Sequence, residues 1–486
     1  MNIKNHMITD YYELTMAQSY FNAKMQDKIA IFDVFFRKNP FHGGYGIMGG
    51  VDEVINFIQN LKFDEEDIAY LRSKNKYSEE FLNYLKNFKF TGSIYAIPDG
   101  TPVFKGEPII TVEAPIIEAQ IIETILLIYT NSNICFTTAA RRVVESANPI
   151  PIAEFGARRS LGESAAVTAS KCAYIAGCAS TSNVEAGRIY GIPISGTMAH
   201  SFIEFFATEY EAFLNYAKTY PNDCTLLVDT YDVLKSGIPN AIRVAKEYLI
   251  PNGYRLKGIR IDSGDLAYLT KKAKEMLIAS GLDDVSICIS NGLNEETIAS
   301  LKNQGAVIDS IGLGDNIVLP DYARVGCVYK LVAIKDNEKY IPRIKVSDDI
   351  EKATTPGYKK VYRLYDNKTN YALADLIALQ DEEIPKDKIT LIDPNNENNQ
   401  TTLTDYTLRE LQVPIFIKGK LVYQAPSINE RKNYCNEEST TLYPEIKRSL
   451  NPHNYYVDLT RKLLLLKKEL IKEAKSKTEP TLSRRK

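Results

Sequence analysis

The stretch GIRIDSGD, residues 258–265, is a short apolar run that ends in small and acidic residues. Between about residues 150 and 330 such runs alternate with amphipathic helical segments, which predicts parallel strands joined by crossover helices. The candidate strands are PIPIAEFG (149–156), IPISGTMAHS (192–201), CTLLVDTYD (224–232), GIRIDSGD, VSICISNG (285–292) and VIDSIGLGD (307–315). Ligands of such sheets bind beyond the carboxyl ends of the strands. The residues expected at those ends are Asp229, Asp262, Asp265, Asn291 and Gly314.

The length of 486 residues exceeds what one core usually supports, and it predicts two domains or one elaborated barrel. Residues 1–115 mix helical and strand patterns and predict an α+β domain, completed by part of 335–450. Residues 116–334 begin with a long apolar-periodic stretch and predict the α/β barrel. Residues 335–486 form a C-terminal segment that ends in a Lys-rich amphipathic helix, RKLLLLKKELIKEAKSK.

The charge balance excludes several classes of partner. The 59 basic and 61 acidic side chains create no global field that would favour nucleic acid or an anionic membrane. No apolar run approaches the roughly 20 residues of a membrane span. The seven cysteines are scattered without C-x-x-C spacing, which is typical of reduced thiols. We therefore predict a cytoplasmic protein that recognises a small substrate locally.

Charged residues at two strand ends form the first candidate site. Arg260 precedes Asp262 by two residues and faces the same side of its strand. Such a pair could be a structural ion pair, or it could belong to an acidic cluster, with Asp229 nearby, that holds Mg²⁺ and a phosphorylated sugar. On the basic side, EFGARRS supplies Arg158 and Arg159 and AARR supplies Arg141 and Arg142, although a charged helix face also explains AARR.

The segments SNGLNEETI and GLGD are candidate turns for an anion. Asn294 suits a helix N-cap, and Gly292 leaves the amides of that helix start open to a phosphate. The pattern fits a plain cap equally well. The Gly-x-Gly of residues 312–314 is a weaker signal, since it also marks a tight turn.

One of the four histidines, His200, stands between a Gly-Thr-Met-Ala turn and an apolar helical run in GTMAHSFIEFF, residues 196–206. It could cap the following helix. It could also act as a nucleophile, because imidazole is partly unprotonated near neutral pH.

Eight motifs in register resemble those of nicotinate phosphoribosyltransferases. They cover residues 9 to about 334: TDYYELTM, EFGARRS, STSNVEAG, GTMAHSF, VDTYD, IRIDSGDL, SNGLN and GLGD followed by GCVYKLVA. The resemblance implies an irregular TIM-like α/β barrel, a second α+β domain built from N- and C-terminal segments, and homodimers with shared active sites. It implies transfer of the phosphoribosyl group of phosphoribosyl pyrophosphate to nicotinate, coupled to ATP through phosphorylation of His200.

The resemblance also implies roles for single residues. His200 and Asp262 are the predicted catalytic residues, and Asp229 and Asp262 the predicted Mg²⁺ ligands. The predicted nicotinate-binding residues are Tyr12 from the other subunit, Phe155, Ser182, Thr197 and Arg260. The predicted residues for phosphoribosyl pyrophosphate are Arg141, Arg158, Asp229, Asp262, Gly264, Asn291, Gly292, Gly314 and Asp315.

Three alternatives stay open at this stage. The nicotinamide enzymes carry an Asp where this chain has Ser182, and a hydroxyl near Arg260 favours a carboxylate substrate. Quinolinate has two carboxylates and would call for a denser basic cluster. A non-catalytic phosphosugar-binding barrel is suggested by Asp315, because a carboxylate in an anion-binding turn is unfavourable unless Mg²⁺ or an arginine intervenes.

Overall fold

The computed structural model describes residues 4–322, 324–346 and 353–478. The chain divides into two compact units. Unit 1 is Met1–Cys135 with Arg324–Lys486, and unit 2 is Phe136–Ala323. The sequence patterns place the corresponding boundaries near residues 115 and 334.

The N-terminal part of unit 1 contains five strands and the first helices. The strands are β1 Ile29–Phe36, β2 Gly46–Ile47, β3 Ser93–Ala96, β4 Pro102–Val103 and β5 Ile110–Pro115. The helices are α1 Tyr11–Asn22, α2 Val51–Asn60, α3 Glu65–Ser73, α4 Glu79–Lys86, α5 Ile116–Ile121 and α6 Glu123–Ala147, and the residues of α6 from Phe136 onward belong to unit 2. The apolar-periodic stretch after residue 115 is therefore helical, as predicted.

Unit 2 alternates short strands with helices. The strands are β6 Ile152–Glu154, β7 Ser180–Thr181, β8 Thr225–Leu227, β9 Gly258–Ile261, β10 Ser286–Ile289 and β11 Ser310–Leu313. The helices are α7 Glu163–Ile175, α8 Val184–Tyr190, α9 His200–Phe205, α10 Glu209–Thr219, α11 Ile238–Val244, α12 Leu266–Ala279, α13 Glu295–Asn303 and α14 Asp315–Val318. Two π-helical turns, Val233–Gly237 and Ala245–Leu249, flank α11.

The rest of unit 1 is rich in strands. They are β12 Cys327–Asp336, β13 Lys339–Pro342, β14 Lys359–Asp366, β15 Ala372–Leu379, β16 Lys388–Ile392, β17 Gln400–Thr404, β18 Tyr406–Glu410, β19 Val413–Ile417, β20 Lys420–Leu421 and β21 Val457–Leu459. The helices are α15 Ile428–Thr440 and α16 Arg461–Thr478, the latter being the predicted Lys-rich helix.

Three sheets organise unit 1. A seven-stranded sheet has the order β13-β12-β1-β5-β3-β19-β20, so strands from both ends of the chain share it. A six-stranded sheet has the order β17-β16-β21-β15-β14-β18, and β2 pairs with β4. Strands from residues 339–342 and 413–421 thus extend a sheet whose centre is N-terminal.

The sheet of unit 2 is entirely parallel, with the order β7-β6-β11-β10-β9-β8. Its apolar residues, such as Ile259, Ile287 and Ile311, are fully buried in the core of that unit. The predicted alternation of parallel strands and crossover helices is confirmed, and the fold is mixed α/β.

One strand prediction is wrong. IPISGTMAHS forms no strand, and only Ile194 makes an isolated bridge to Thr181. Pro193 has no N–H to donate to a ladder, and the contact consists of Thr181 N–H to Pro193 O and Ser195 N–H to Thr181 O. The strand next to β6 is instead Ser180–Thr181, in the segment STSNVEAG.

None of the described helices is both long enough and apolar enough to cross a membrane. None of the seven cysteines forms a disulfide bond.

Candidate active site

The carboxyl ends of the six parallel strands bring several predicted residues to one edge of the sheet in unit 2. The residues that follow these ends are Phe155 after β6, Ser182 after β7, Asp229 after β8, Asp262 after β9, Asn291 after β10 and Gly314 after β11. Because parallel strands share one direction, the ends lie side by side. The edge is therefore the candidate active site.

Arg260 makes side-chain hydrogen bonds to three residues at this edge. Its Nε donates to Ser290 Oγ at 2.8 Å, Nη1 to Thr197 Oγ1 at 3.0 Å and Nη2 to Asp262 Oδ1 at 2.9 Å. The side chain of Arg260 is 12% exposed and that of Asp262 is 26% exposed. The ion pair considered from the sequence does form, yet it stays partly open to solvent.

Asp229 lies beside Asp262 and is more deeply buried. Its Oδ2 accepts the backbone N–H of Asp262 at 3.1 Å and the Ser263 hydroxyl at 2.5 Å. Its Oδ1 is buried without a hydrogen-bond partner among the described residues. A buried carboxylate oxygen without a partner is costly, which indicates that a ligand completes it.

His200 begins α9 and faces these two carboxylates. Its Nδ1 is 3.1 Å from Thr230 Oγ1, whereas Nε2 is 3.9 Å from Asp229 Oδ1 and 3.8 Å from Asp262 Oδ2. The N-cap of α9 is Ala199, and no side chain caps this helix. His200 therefore does not act as the structural cap considered from the sequence, and its imidazole is 39% exposed beside two acids.

The two carboxylates fit a divalent cation shared with a substrate. No group of three or more His, Cys, Asp or Glu side chains in the described part of the chain could hold a metal alone. Mg²⁺ usually takes only one or two carboxylates and completes its shell with water and substrate phosphates. The free Oδ1 of Asp229 and the exposed carboxylate of Asp262 match that pattern.

Phe155 packs tightly against the neighbouring strand β11. A Cβ on Gly312 would come within 2.3 Å of the Phe155 ring, and one on Gly314 within 2.9 Å of the Phe155 carbonyl oxygen. The Arg260 guanidinium lies 5.7 Å from the centroid of the same ring. The two glycines of GLGD therefore serve close packing, which is the alternative to a phosphate turn.

Glu154 is a site residue that sequence reasoning missed. It is fully buried, accepts the Ser170 hydroxyl at 2.8 Å and the Thr181 hydroxyl at 2.6 Å, and also accepts Gly156 N–H. It thereby ties the turn after Phe155 to the loop that begins at Ser182. The sequence signal that could have identified it is a glutamate at the end of an apolar strand. Such a carboxylate is buried, and it therefore needs several hydrogen-bond donors around it.

The predicted arginines have different environments. Arg141 is buried, where it pairs with Glu145 one turn along α6 and donates to Ala176 O at 3.3 Å. Arg142 pairs with Glu295 at 2.6 Å. Arg158 is exposed in the turn after β6, and it remains available to an anion.

Asp315 lies beside an arginine. Arg159 Nε is 3.2 Å from Asp315 Oδ1, and both side chains are more than half exposed. This contact supplies the arginine that a carboxylate in an anion-binding turn requires. Asp315 therefore does not argue against an anion at this edge.

Two helix starts at this edge have side-chain caps, of which the sequence predicted only Asn294. Asn294 caps α13 through a reciprocal bond with Thr297, and Asp265 caps α12 by accepting Tyr268 N–H at 3.0 Å. Asn291 has φ of 105° and Gly264 has φ of 82°, so both turns use the left-handed region. Gly292 is exposed and would meet nothing if it carried a Cβ.

The remaining predicted nicotinate residues are Ser182, Thr197 and Tyr12. Ser182 is exposed, and its N–H donates to Glu154 O at 2.8 Å. Thr197 is bound to Arg260, so the hydroxyl partners of that arginine are Thr197 and Ser290. Tyr12 belongs to unit 1, where its side chain on α1 is 44% exposed; partial burial of the hydroxyl, together with the charge of Glu123, raises its pKa.

Comparison with known proteins identifies relatives along the whole chain. The nicotinate phosphoribosyltransferase (NAPRTase) N-terminal domain matches residues 7–131, the NAPRTase family 150–369 and the C-terminal domain 358–467. The chain is 42% identical over 478 residues to a nicotinate phosphoribosyltransferase of Bacillus subtilis, covering 98% of this chain and 96% of that protein. It is 34% identical to one from Caenorhabditis elegans, covering 94% of this chain and 92% of that protein.

A solved structure is also similar. The crystal structure of human nicotinic acid phosphoribosyltransferase matches with a TM-score of 0.83 and 28% identity, and the match covers 95% of this chain and 99% of the human chain.

Proposed function

The chain belongs to the nicotinate phosphoribosyltransferase family, and we propose that it couples its reaction to ATP through a phosphohistidine at His200. The enzyme joins nicotinate to the ribosyl phosphate of phosphoribosyl pyrophosphate, and it forms nicotinate mononucleotide and pyrophosphate for NAD synthesis. The observation that carries the proposal is the cluster of His200, Asp229, Asp262 and Arg260 at one edge of the parallel sheet.

His200 is held in a geometry suited to a phosphoryl acceptor. When its Nδ1–H donates to Thr230 Oγ1, the lone pair on Nε2 is free. Nε2 is not hydrogen-bonded to either carboxylate at 3.8–3.9 Å. Two carboxylates so near to Nε2 would repel a phosphoryl group on that nitrogen. This repulsion favours a cation between the carboxylates and the phosphoryl group.

Asp229 and Asp262 are the residues that would hold Mg²⁺. When bound, the ion would neutralise phosphate charge and stabilise the departing pyrophosphate. Arg158 and the open amides at Gly292 would contact the phosphates of phosphoribosyl pyrophosphate and help position its C1. The arginine charge and the N–H donors would stabilise the negative charge that develops on the departing pyrophosphate as an oxocarbenium-like centre forms at C1.

Arg260 would pair with the nicotinate carboxylate. Its guanidinium already lies above the Phe155 ring and is oriented by Ser290 and Thr197. A flat pyridine ring suits a stack on Phe155, with the carboxylate toward Arg260. Tyr12 of a second subunit would cover the other ring face.

The proposal has three further parts. The protein forms homodimers with shared active sites, it is cytoplasmic, and its six-stranded sheet closes into an irregular TIM-like barrel. Seven cysteines without a disulfide bond support a reducing compartment. The all-parallel pairing supports the barrel.

If Tyr12→Ala and Phe155→Ala subunits regain activity when mixed after dissociation, the shared site is supported. Mixed dimers that stay inactive would contradict it.

Incubation with ATP labelled in its γ-phosphate tests the phosphohistidine. We expect acid-labile, base-stable label on the wild type and none on His200→Ala, which should also lose stimulation by ATP. His453→Ala, which removes an exposed histidine, is the matched control and should keep the label. Equal labelling of His200→Ala and wild type would place the phosphate on another residue.

Ser182 is the proposed residue that selects nicotinate over nicotinamide, which differs from it only in the ring substituent. Ser182→Asp introduces a negative charge in the exposed loop after β7 and should lower kcat/KM for nicotinate more than for nicotinamide. An unchanged ratio of the two values would remove Ser182 from the substituent pocket. Pyrophosphate release with nicotinate separates the enzyme from a non-catalytic binder.

A further inference from the structure

Ser290 lies between Arg260 and Asp262 at the strand-end edge, and its hydroxyl contacts both side chains. The hydroxyl accepts a hydrogen bond from Arg260 Nε at 2.8 Å and donates one to Asp262 Oδ1. Arg260 Nη2 donates to the same carboxylate oxygen at 2.9 Å. Ser290 is only 3% exposed, so water does not compete strongly for these contacts. The three side chains therefore form a closed ring of hydrogen bonds.

The buried arginine–aspartate pair of unit 1 shows what the hydroxyl of Ser290 prevents. Arg363 Nε and Nη2 contact Asp375 Oδ1 and Oδ2 at 2.8 and 2.6 Å, so one guanidinium takes up both carboxylate oxygens. In Arg260 the corresponding Nε is occupied by Ser290, and Nη2 reaches only Oδ1 of Asp262. The second oxygen of Asp262 therefore accepts no hydrogen bond within the described part of the chain.

We propose that Ser290 is a positioning residue that supports the preference for a carboxylate substrate, because it keeps Arg260 and Asp262 from closing into a two-point pair. The inference rests on the proposed pairing of Arg260 with the nicotinate carboxylate. A guanidinium has five N–H donors, and one each is used by Ser290, Thr197 and Asp262. The other donors stay available to a substrate anion. A closed pair would offset the charge of Arg260 and take up the open oxygen of Asp262.

The backbone, rather than the hydroxyl, fixes the place of Ser290. Ser290 directly follows β10, and its N–H donates to Ile261 O at 3.0 Å. Ser290→Ala keeps this contact and the register of β10 on β9. It leaves Arg260 Nε without its acceptor, in a side chain that is 12% exposed. Because an unpaired buried donor is costly, rotation of the Asp262 carboxylate toward Nε is the favoured response.

A crystal structure of Ser290→Ala tests the closure directly. We expect Nε and Nη2 of Arg260 to contact both oxygens of Asp262 in this variant. Ser286→Ala is the matched control, since Ser286 begins the same strand and its hydroxyl donates to Lys257 O at 2.9 Å. The control should keep the contact of Arg260 with one oxygen. The same single contact in Ser290→Ala would overturn the proposal.

The preference for the acid over the amide gives a second readout. The ratio of kcat/KM for nicotinate to that for nicotinamide should fall about tenfold in Ser290→Ala, as for the loss of one hydrogen bond to a charged group. Effects through Asp262 cancel in this ratio, since both substrates react with the same phosphoribosyl donor. A purely structural loss would lower both values alike. Ser286→Ala should keep the wild-type ratio, and a wild-type ratio in Ser290→Ala would contradict the role of Ser290.

Arg260→Lys separates this inference from the proposed function on which it rests. The ratio should also fall in Arg260→Lys, because an ammonium cannot reproduce the planar fork of donors. A low ratio in Arg260→Lys together with a wild-type ratio in Ser290→Ala would remove the role of Ser290 alone. A wild-type ratio in Arg260→Lys would remove the pairing with nicotinate and, with it, the inference for Ser290.

Discussion

Two Arg–Asp pairs in this protein have opposite surroundings. In unit 1, Arg363 contacts both oxygens of Asp375 at 2.8 and 2.6 Å, and both side chains are 0% exposed. The Tyr455 hydroxyl donates to the same carboxylate at 2.9 Å. In unit 2, Arg260 contacts one oxygen of Asp262, and the other oxygen is 3.8 Å from His200 Nε2.

The difference shows how burial and saturation separate structural from functional charge. Asp375 accepts three hydrogen bonds, two from Arg363 and one from Tyr455, and both of its oxygens are therefore bound within the fold. Asp262 keeps an open oxygen beside a histidine and a partly buried arginine. Substitution of single charged groups therefore distinguishes structural charges, whose loss lowers stability, from functional charges, whose loss lowers activity.

The largest effect is expected for Arg363→Ala. Removing one partner of a buried pair leaves Asp375 charged and unmatched, which costs about 3–5 kcal/mol. Denaturant unfolding should show this loss in free energy. Arg255→Ala is the control, because Arg255 forms an exposed pair with Asp284 and should cost at most about 1 kcal/mol. Similar losses of unfolding free energy in Arg363→Ala and Arg255→Ala would show that burial does not distinguish the two pairs.

Arg260→Lys should affect catalysis rather than stability. A lysine cannot reproduce the three-way contact with Ser290, Thr197 and Asp262 or a two-point pairing with a carboxylate. Loss of about 1.5–3 kcal/mol would lower kcat/KM for nicotinate roughly ten- to more than a hundredfold. Steady-state kinetics should show this loss in kcat/KM for Arg260→Lys and a wild-type value for the control variant Arg255→Lys. Wild-type kinetics in Arg260→Lys would exclude the pairing with nicotinate.

Glu154→Gln tests a carboxylate that is saturated yet lies next to the site. The amide group would oppose donors from Gly156, Ser170 or Thr181, at a cost of about 1–3 kcal/mol. Because Glu154 positions the segments of Phe155 and Ser182, KM for nicotinate should rise more than KM for phosphoribosyl pyrophosphate. Glu185→Gln, in an exposed pair with Arg188, is the control. Equal changes in both KM values would indicate a purely structural role.

Glu13 in unit 1 gives a smaller, pH-dependent effect. Burial raises the pKa of its carboxyl to about 7, above the ordinary value of 4.5. The folded state then holds a proton that the unfolded state releases, so the free energy of unfolding should fall as pH rises from about 4.5 through 7. We expect a change in the free energy of unfolding of about 1–2 kcal/mol over this pH range.

Unfolding measured across this pH range should show the slope in wild type and a flatter profile in Glu13→Gln. Glu80→Gln, at an exposed position on α4, should keep the wild-type slope. A wild-type profile in Glu13→Gln would place the titration on another group.

The sequence by itself determined the family, the parallel α/β organisation of unit 2 and the strand ends that form the edge. These features depend on local patterns, such as an apolar run followed directly by Asp229 or Asp262, because a strand end and the residue after it are neighbours in the chain. The caps at Asn294 and Asp265 were accessible for the same reason, although the sequence identified only the first as a cap.

Only the tertiary structure decided which partners complete each charge. Arg260 reaches Thr197 across 63 positions, and Ser290 reaches Asp262 across 28. The burial of Arg141, the contact of Arg159 with Asp315 and the replacement of the predicted strand at 192–201 by Ser180–Thr181 also depend on packing. Residue types and short-range spacing do not encode these pairings, because each is selected by the space and hydrogen-bond donors that distant segments supply.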